Sequence, residues 1–197
     1  MNFLYDIGRV LLDFDFESSL SRLLPAGIAN PRERLERLLA RKDDFEAGRI
    51  EADAYIEWAL GVMGSDASAD QFRAAWCNIF TPNEPMWKCV RQLAAKGHRL
   101  ILFSNTNSIH CPWIFESYPE FDLFEGAVLS HEVGAIKPQT EIYKHAFDAH
   151  RLDPGSTLYI DDLPENIAAG RAHGLHCWQY DLRDHASFEQ WLGKFDL

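Results

Sequence analysis

Four short apolar runs stand out along the chain, each closing in polar residues. They are Phe3-Leu4-Tyr5 before Asp6, Leu100-Ile101-Leu102-Phe103 before Ser104-Asn105, Ala127-Val128-Leu129 before Ser130, and Leu158-Tyr159-Ile160 before Asp161-Asp162. None alternates apolar with polar positions, which predicts parallel strands covered on both faces. Between them, helical stretches run from Glu84 to Lys96, Thr140 to His150 and Pro164 to His173. Gly97 and Gly174 stop two of these, and Pro154-Gly155 follows the third. Strands alternating with helices of this length predict an α/β fold, a doubly wound parallel sheet.

Residues 16–81 break that rhythm. Helical patterns occur at Phe16–Leu24, Pro31–Ala47, Ala52–Met63 and Ala69–Phe80, with Pro25, Gly27, Gly48, Gly61 and Gly64 at the joins. The pattern predicts an all-helical block of residues 16–81 inserted after the first strand, leaving 1–15 and 82–197 as the α/β core. The mixed segment Arg9-Val10-Leu11-Leu12-Asp13-Phe14-Asp15 reads as a short β-hairpin joining core to insertion. The charge-rich stretch from Arg32 to Asp44 reads as a solvated helix face.

Composition narrows the function. Of 197 residues, 47% are hydrophobic and 25% charged, the balance of a folded globule. Nineteen basic against thirty acidic residues give a net charge of −11, which argues against a nucleic-acid binder. No apolar run approaches the roughly 20 residues of a membrane span. The opening Met1-Asn2-Phe3-Leu4-Tyr5-Asp6 has no basic segment before its apolar residues, so a signal peptide is not expected and the cytoplasm is. Cys77, Cys89, Cys111 and Cys177 form no CxxC pair, and reduced, buried thiols are expected.

In open α/β sheets, ligands bind outside the carboxyl ends of the strands. That rule gathers Asp6, Ser104, Asn105, Asp161 and Asp162 at one edge, with Lys137 in the loop beyond the Val128 strand. Pro138 disfavours helical geometry at Lys137, so this lysine is expected in an extended loop. Three carboxylates in one small cleft repel one another. A divalent cation with hard oxygen ligands removes that conflict, and Mg²⁺ beside a lysine suits a doubly charged phosphate.

At this point the sequence resembles the haloacid dehalogenase-like hydrolase superfamily, whose four motifs occur here in order. Tyr5-Asp6-Ile7-Gly8-Arg9-Val10 is similar to the nucleophile loop, and Leu102-Phe103-Ser104-Asn105-Thr106 to the phosphate-binding motif. Ile136-Lys137-Pro138-Gln139-Thr140-Glu141-Ile142-Tyr143 carries the family's lysine, and Tyr159-Ile160-Asp161-Asp162-Leu163-Pro164-Glu165-Asn166 its acidic metal motif. Ser104-Asn105-Thr106-Asn107-Ser108-Ile109-His110, Tyr118-Pro119-Glu120 and Phe45-Glu46-Ala47-Gly48-Arg49-Ile50 resemble bacterial sugar-phosphate phosphatases of the α-glucose-1-phosphate phosphatase kind.

The resemblance implies a Rossmann-like core with a helical cap, and a Mg²⁺-dependent phosphatase acting on a small phosphorylated metabolite as a monomer or homodimer. In that reading Asp6 is the nucleophile. Mg²⁺ sits on Asp6, the Gly8 carbonyl and Asp162, while Asp161 and Asn166 support from behind. Ser104, Asn105 and Lys137 hold the phosphoryl oxygens. One position departs from the family: Gly8 stands where many relatives carry an aspartate that moves protons. Asp13, Asp15 and His110 are the candidate replacements. The alternatives are a metal-independent dehalogenase and a non-enzymatic phosphometabolite-binding protein. Phe45, Trp58 and Trp76 are candidate cap residues for lining the substrate site, set against their use as the cap's own core.

Overall fold

The computed structural model describes residues 1–195; positions 196 and 197 of the expected core lie outside the described residues. From the N-terminus, β1 (Asn2–Tyr5) and β2 (Leu12–Phe14) precede α1 (Phe16–Leu20), α2 (Pro31–Leu39), α3 (Lys42–Glu46), α4 (Ala52–Met63) and α5 (Ala69–Cys77). Next come β3 (Phe80–Pro82), α6 (Glu84–Ala95), β4 (Arg99–Ser104), α7 (His110–Ser117), β5 (Gly126–Leu129) and α8 (Ser130–Val133). The chain then forms α9 (Thr140–His150), β6 (Thr157–Asp161), α10 (Pro164–Ala172), β7 (His176–Gln179) and α11 (His185–Leu192).

Five parallel strands pair in the order β5-β4-β1-β6-β7, which puts the first strand at the centre. Successive side chains of a strand point to opposite faces, and here both faces are covered. Phe3, Tyr5, Leu100, Leu102, Leu158 and Ile160 pack on one side with Met86, Trp87, Val90 and Leu93 of α6. Leu4, Ile101, Phe103 and Tyr159 pack on the other with Ile142, Tyr143 and Ala146 of α9 and Ile167 of α10. Burial on two sides is why these strands read as unbroken apolar runs.

The inserted helices close around a third cluster that includes Leu20, Leu38, Phe45, Tyr55, Ile56, Met63, Phe72 and Trp76. Gly64 takes a left-handed backbone (φ 66°) to end α4. Ser68 and Gln71 form a reciprocal capping box that starts α5.

Three local expectations change. Residues 9–15 make a tight turn, closed by Arg9 N on the Leu12 carbonyl (2.8 Å), but no two-stranded hairpin of their own. Instead β2 pairs antiparallel with β3, so the strands entering and leaving the insertion are hydrogen-bonded neighbours. The pattern missed this because the partner lies across the whole insertion. Pro31–Ala47 is two helices, with α2 ending at Leu39 and α3 starting at Lys42. Tertiary contacts override helix propensity there: Phe45 stacks on Tyr55 at 4.3 Å between ring centroids, and Ser130 Oγ donates to the Glu46 carbonyl at 2.5 Å. The helix from Ala69 stops at Cys77, because Ile79 turns its carbonyl to Asp15 N (3.0 Å) and Phe80 joins the two-stranded ribbon.

Among the described residues no helix is long and apolar enough to cross a membrane. The four cysteines are free and buried.

Candidate active site

Strands β4, β1 and β6 end side by side, so their sequence motifs converge on one cleft of about 290 Å³. Tyr5 pairs with Leu102 and Ile160, which sets Asp6, Ser104 and Asp161 just past that level. Asp6, Gly8, Ser104, Asn105, Lys137, Asp162 and Asn166 all line the cleft.

Lys137 comes from the loop before α9 and is 3% exposed. Its Nζ donates to Asp161 Oδ2 at 2.6 Å, to the Phe103 carbonyl at 2.7 Å and to Asp6 Oδ1 at 2.9 Å. All three ammonium protons are thereby used. The rings of Phe103 and Tyr159 flank it at 5.2 and 5.7 Å. Burial alone would lower the lysine's pKa, but the Asp161 and Asp6 carboxylates overcome this and hold it above its ordinary value.

Asp161 faces inward and is fully buried. Besides Lys137 it accepts from Tyr159 Oη (2.6 Å), Leu163 N (2.9 Å) and Asn166 Nδ2 (3.0 Å). It is an anchor for the lysine. Asp162 lines the cleft, and burial pushes its carboxyl up to about 6, with the Asp161 charge adding to the rise. Burial also pushes Asp6 up to about 7, against the pull of Lys137 and with help from Asp161 and Asp162.

A divalent metal fits this donor set. Carboxylate oxygens of Asp6, Asp161 and Asp162 lie within 4.8 Å of one another, and three acids against one ammonium leave two charges unanswered. Asp161 is already saturated by protein donors, which leaves Asp6 and Asp162 as the carboxylates available to a cation. Asn166 Oδ1 is buried without a protein partner and can accept from a water on such an ion.

The side chain of Asn105 is taken up by the lysine loop. Its side-chain Oδ1 accepts from Lys137 N at 2.7 Å and its Nδ2 donates to Lys137 O at 3.0 Å. The side chain positions the lysine, leaving the Asn105 backbone as the part that can meet a ligand. Ser104 is 1% exposed, and its Oγ has a single long bond, 3.4 Å to the Asn105 carbonyl.

The three candidate replacements for an acid at Gly8 are engaged elsewhere. His110 lines the cleft, but its Nε2 lies 3.0 Å from the Trp76 carbonyl and its Nδ1 3.0 Å from Asn107 Nδ2. The network assigns Nε2 as donor and Nδ1 as acceptor. Burial lowers its pKa to about 4. Asp13 pairs with Arg9 and caps Phe14 N (2.8 Å), and Asp15 caps α1 through Ser18 N (3.1 Å). Neither aspartate reaches the cleft lining.

The aromatic candidates also lie apart. Phe45 and Trp76 are packed in the helical block's own cluster, and Trp58 sits beneath Arg41 on a separate surface. The cleft takes Phe14, Phe16 and Phe80 instead, together with Arg9, Lys42 and Glu46. Lys42 and Glu46 are ion-paired at 2.8 Å. Lys42 falls in the charge-rich stretch that looks like a solvated helix face in one dimension. Glu46 falls in the stretch 45–50, whose resemblance marked the segment without giving Glu46 a role.

The carboxylate–lysine cluster thus sits at the carboxyl ends of the strands of a parallel α/β sheet, the edge where such folds bind their ligands. The haloacid dehalogenase-like hydrolase model matches residues 17–174, and the chain belongs to that family. The match takes in Ser104, Lys137 and Asp162 and begins after Asp6. D-ribitol-5-phosphate phosphatase of Bacteroides thetaiotaomicron is 25% identical over 188 residues, 90% of each chain. A sesquiterpene phosphatase of Aspergillus oryzae is 29% identical over 136 residues, 68% of each. A crystal structure of a haloacid dehalogenase family enzyme from Bacteroides thetaiotaomicron, complexed with magnesium and inorganic phosphate, superposes with a TM-score of 0.78. It is 26% identical, with 92% of this chain and 94% of that one covered.

Proposed function

We propose that this protein is a Mg²⁺-dependent phosphatase that hydrolyses a small phosphorylated metabolite, a sugar phosphate by preference, through an aspartyl-phosphate on Asp6. The observation that carries this reading is the Lys137 ammonium held between Asp6 and Asp161, beside Asp162. Lys137 ties up Asp6 Oδ1, which leaves Oδ2 to attack phosphorus. Covalent capture splits one difficult displacement into two easier ones. Ser104 Oγ and the Asn105 backbone N–H hold phosphoryl oxygens, while Lys137 stabilises the charge spread over them in the transition state.

Asp6, the Gly8 carbonyl and Asp162 would hold the metal, with Asp161 and Asn166 behind them. Bound there, Mg²⁺ supplies Lewis-acid neutralisation of the phosphate and of the crowded carboxylates. Similarity to enzymes named for ribitol-phosphate and sesquiterpene phosphatase activity supports phosphomonoester chemistry and leaves the alcohol to be read from the cleft. Residues 16–81 act as a cap over the core formed by 1–15 and 82–197. The cap side offers the Phe14, Phe16 and Phe80 rings together with the Lys42–Glu46 pair. Rings suit the C–H faces of a sugar, and the ion pair suits its hydroxyls.

The test is p-nitrophenyl phosphate hydrolysis with and without Mg²⁺, followed by a panel of phosphorylated metabolites. Metal-dependent release of phosphate, fastest on sugar phosphates, is expected. Turnover that ignores chelation overturns the metal-dependent reading.

A further inference from the structure

Gly8 brings no proton donor to the cleft, and the geometry points to Glu46 of the inserted helices as the group that protonates the leaving oxygen. We propose that Glu46 is the general acid of the first step and the general base of the second. This rests on the phosphatase reading above.

Three observations carry it. Of the carboxylic acids lining the cleft, Asp6 and Asp162 belong to the nucleophile and metal positions, and Glu46 is the third. His110 has both ring nitrogens bonded, its one proton held on the Trp76 carbonyl. In-line displacement puts the leaving oxygen on the side of phosphorus away from Asp6, which is the side closed by the inserted helices.

Glu46 is also fixed relative to the core, as a proton donor must be. Its carbonyl accepts from Ser130 Oγ at 2.5 Å, and Ser130 Oγ in turn accepts from Thr106 N at 2.9 Å. Two residues on, Gly48 has φ 67° and its backbone lies so close that a Cβ would stand 2.3 Å from the His131 carbonyl oxygen. The Glu46 side chain is 12% exposed, and Lys42 Nζ holds it at 2.8 Å. The charged and titratable groups that act on it are Lys42 and Asp43 on its own helix and Lys137 from the core; it acts in turn on Tyr55 from α4. Burial raises the proton affinity of its carboxyl against the pull of Lys42. An arriving phosphate dianion raises it further.

The proton balance closes. As Asp6 Oδ2 bonds to phosphorus, the ester P–O bond breaks and its electron pair goes to the alcohol oxygen, which takes the Glu46 proton. Water then bonds to phosphorus, the acyl-phosphate P–O pair returns to Asp6, and the water proton goes back to Glu46.

The experiment compares single-turnover rates of full-length protein and E46Q, with Mg²⁺, on p-nitrophenyl, phenyl and ethyl phosphate. The ethyl-to-p-nitrophenyl rate ratio should fall by about 10²-fold in E46Q, since only the poor leaving group needs the proton. E46D should recover part of that ratio. Because all three esters are measured on one preparation, partial unfolding cancels in the ratio. An unchanged ratio, whether both rates fall together or neither does, overturns the role of Glu46. If the native protein hydrolyses none of the three esters, the phosphatase reading fails and this inference with it.

Discussion

Asn105 grips the backbone of Lys137 at both of its polar atoms, through hydrogen bonds of 2.7 and 3.0 Å. An amide that ends one sheet motif thus sets the position of the cation supplied by another, 32 residues away. The lysine in turn reaches Asp6 from behind. Asn105→Ala should therefore leave the fold intact and lower kcat/KM by about 10²-fold, the effect of a catalytic group displaced by about 1 Å. Steady-state kinetics together with circular dichroism checks this. Unaltered kinetics would mean that Pro138 and the loop alone hold Lys137.

Asp6→Asn keeps the shape of the side chain and removes the proposed nucleophile. No turnover above blank is expected, and no phosphoryl adduct on the intact protein by mass spectrometry. In the native enzyme, EDTA should silence hydrolysis and Mg²⁺ restore it, with Ca²⁺ a poor substitute because its looser coordination misplaces the phosphate.

His110 makes stability depend on pH. It is neutral in the folded state with a pKa near 4, below its unfolded value of 6.5. Below pH 6.5 the unfolded chain binds a proton that the folded chain resists, so stability is full above that pH and declines as pH falls toward 4. Between about pH 7.5 and about pH 5 the loss from this one group comes to about 2 kcal/mol. Urea unfolding of native protein and His110→Phe at the two pH values measures it. The variant should be less stable at both, with a smaller difference between them.

Gly8→Asp tests the vacant position directly. Gly8 has no left-handed backbone to protect, since it is not among the positive-φ glycines. A Cβ there would lie 3.1 Å from Phe14 Cε1 and 4.0 Å from Asp6 Oδ2, so the ring must yield by a few tenths of an ångström. Once it does, the new carboxyl sits beside the nucleophile. The ethyl-to-p-nitrophenyl rate ratio of E46Q should recover when Gly8→Asp is added, by up to about 10²-fold. No recovery in a folded double variant would show that the ring blocks the acid.

Much of this was legible in one dimension, for a physical reason. The strands β1, β4 and β6 are buried on both faces, and their motifs sit where each strand runs out. Local sequence therefore carried both the strand and its chemistry. By contrast, β7 (His176-Cys177-Trp178-Gln179) is an edge strand whose polar positions dilute the apolar signal. Phe80 keeps helical spacing with Phe72 and Trp76, yet belongs to a ribbon whose partner lies more than sixty residues back. Lys42 and Glu46 become site residues only because α3 turns toward the core. Nothing within their own segment records that turn.

The ribbon of β2 and β3 has a consequence for how such proteins diversify. Leu12 lies opposite Pro82 and Phe14 opposite Phe80, and further bonds join Asp15 N to Ile79 O and Asn83 N to Leu11 O. The inserted segment therefore leaves and rejoins the core at a single stitched point. To the five-stranded sheet, everything beyond that stitch is equivalent to one closed loop whatever its length, since closure entropy grows only slowly with size. A lineage can lengthen, trim or graft a wholly different block there without shifting the register of any strand that carries Asp6, Ser104 or Asp161.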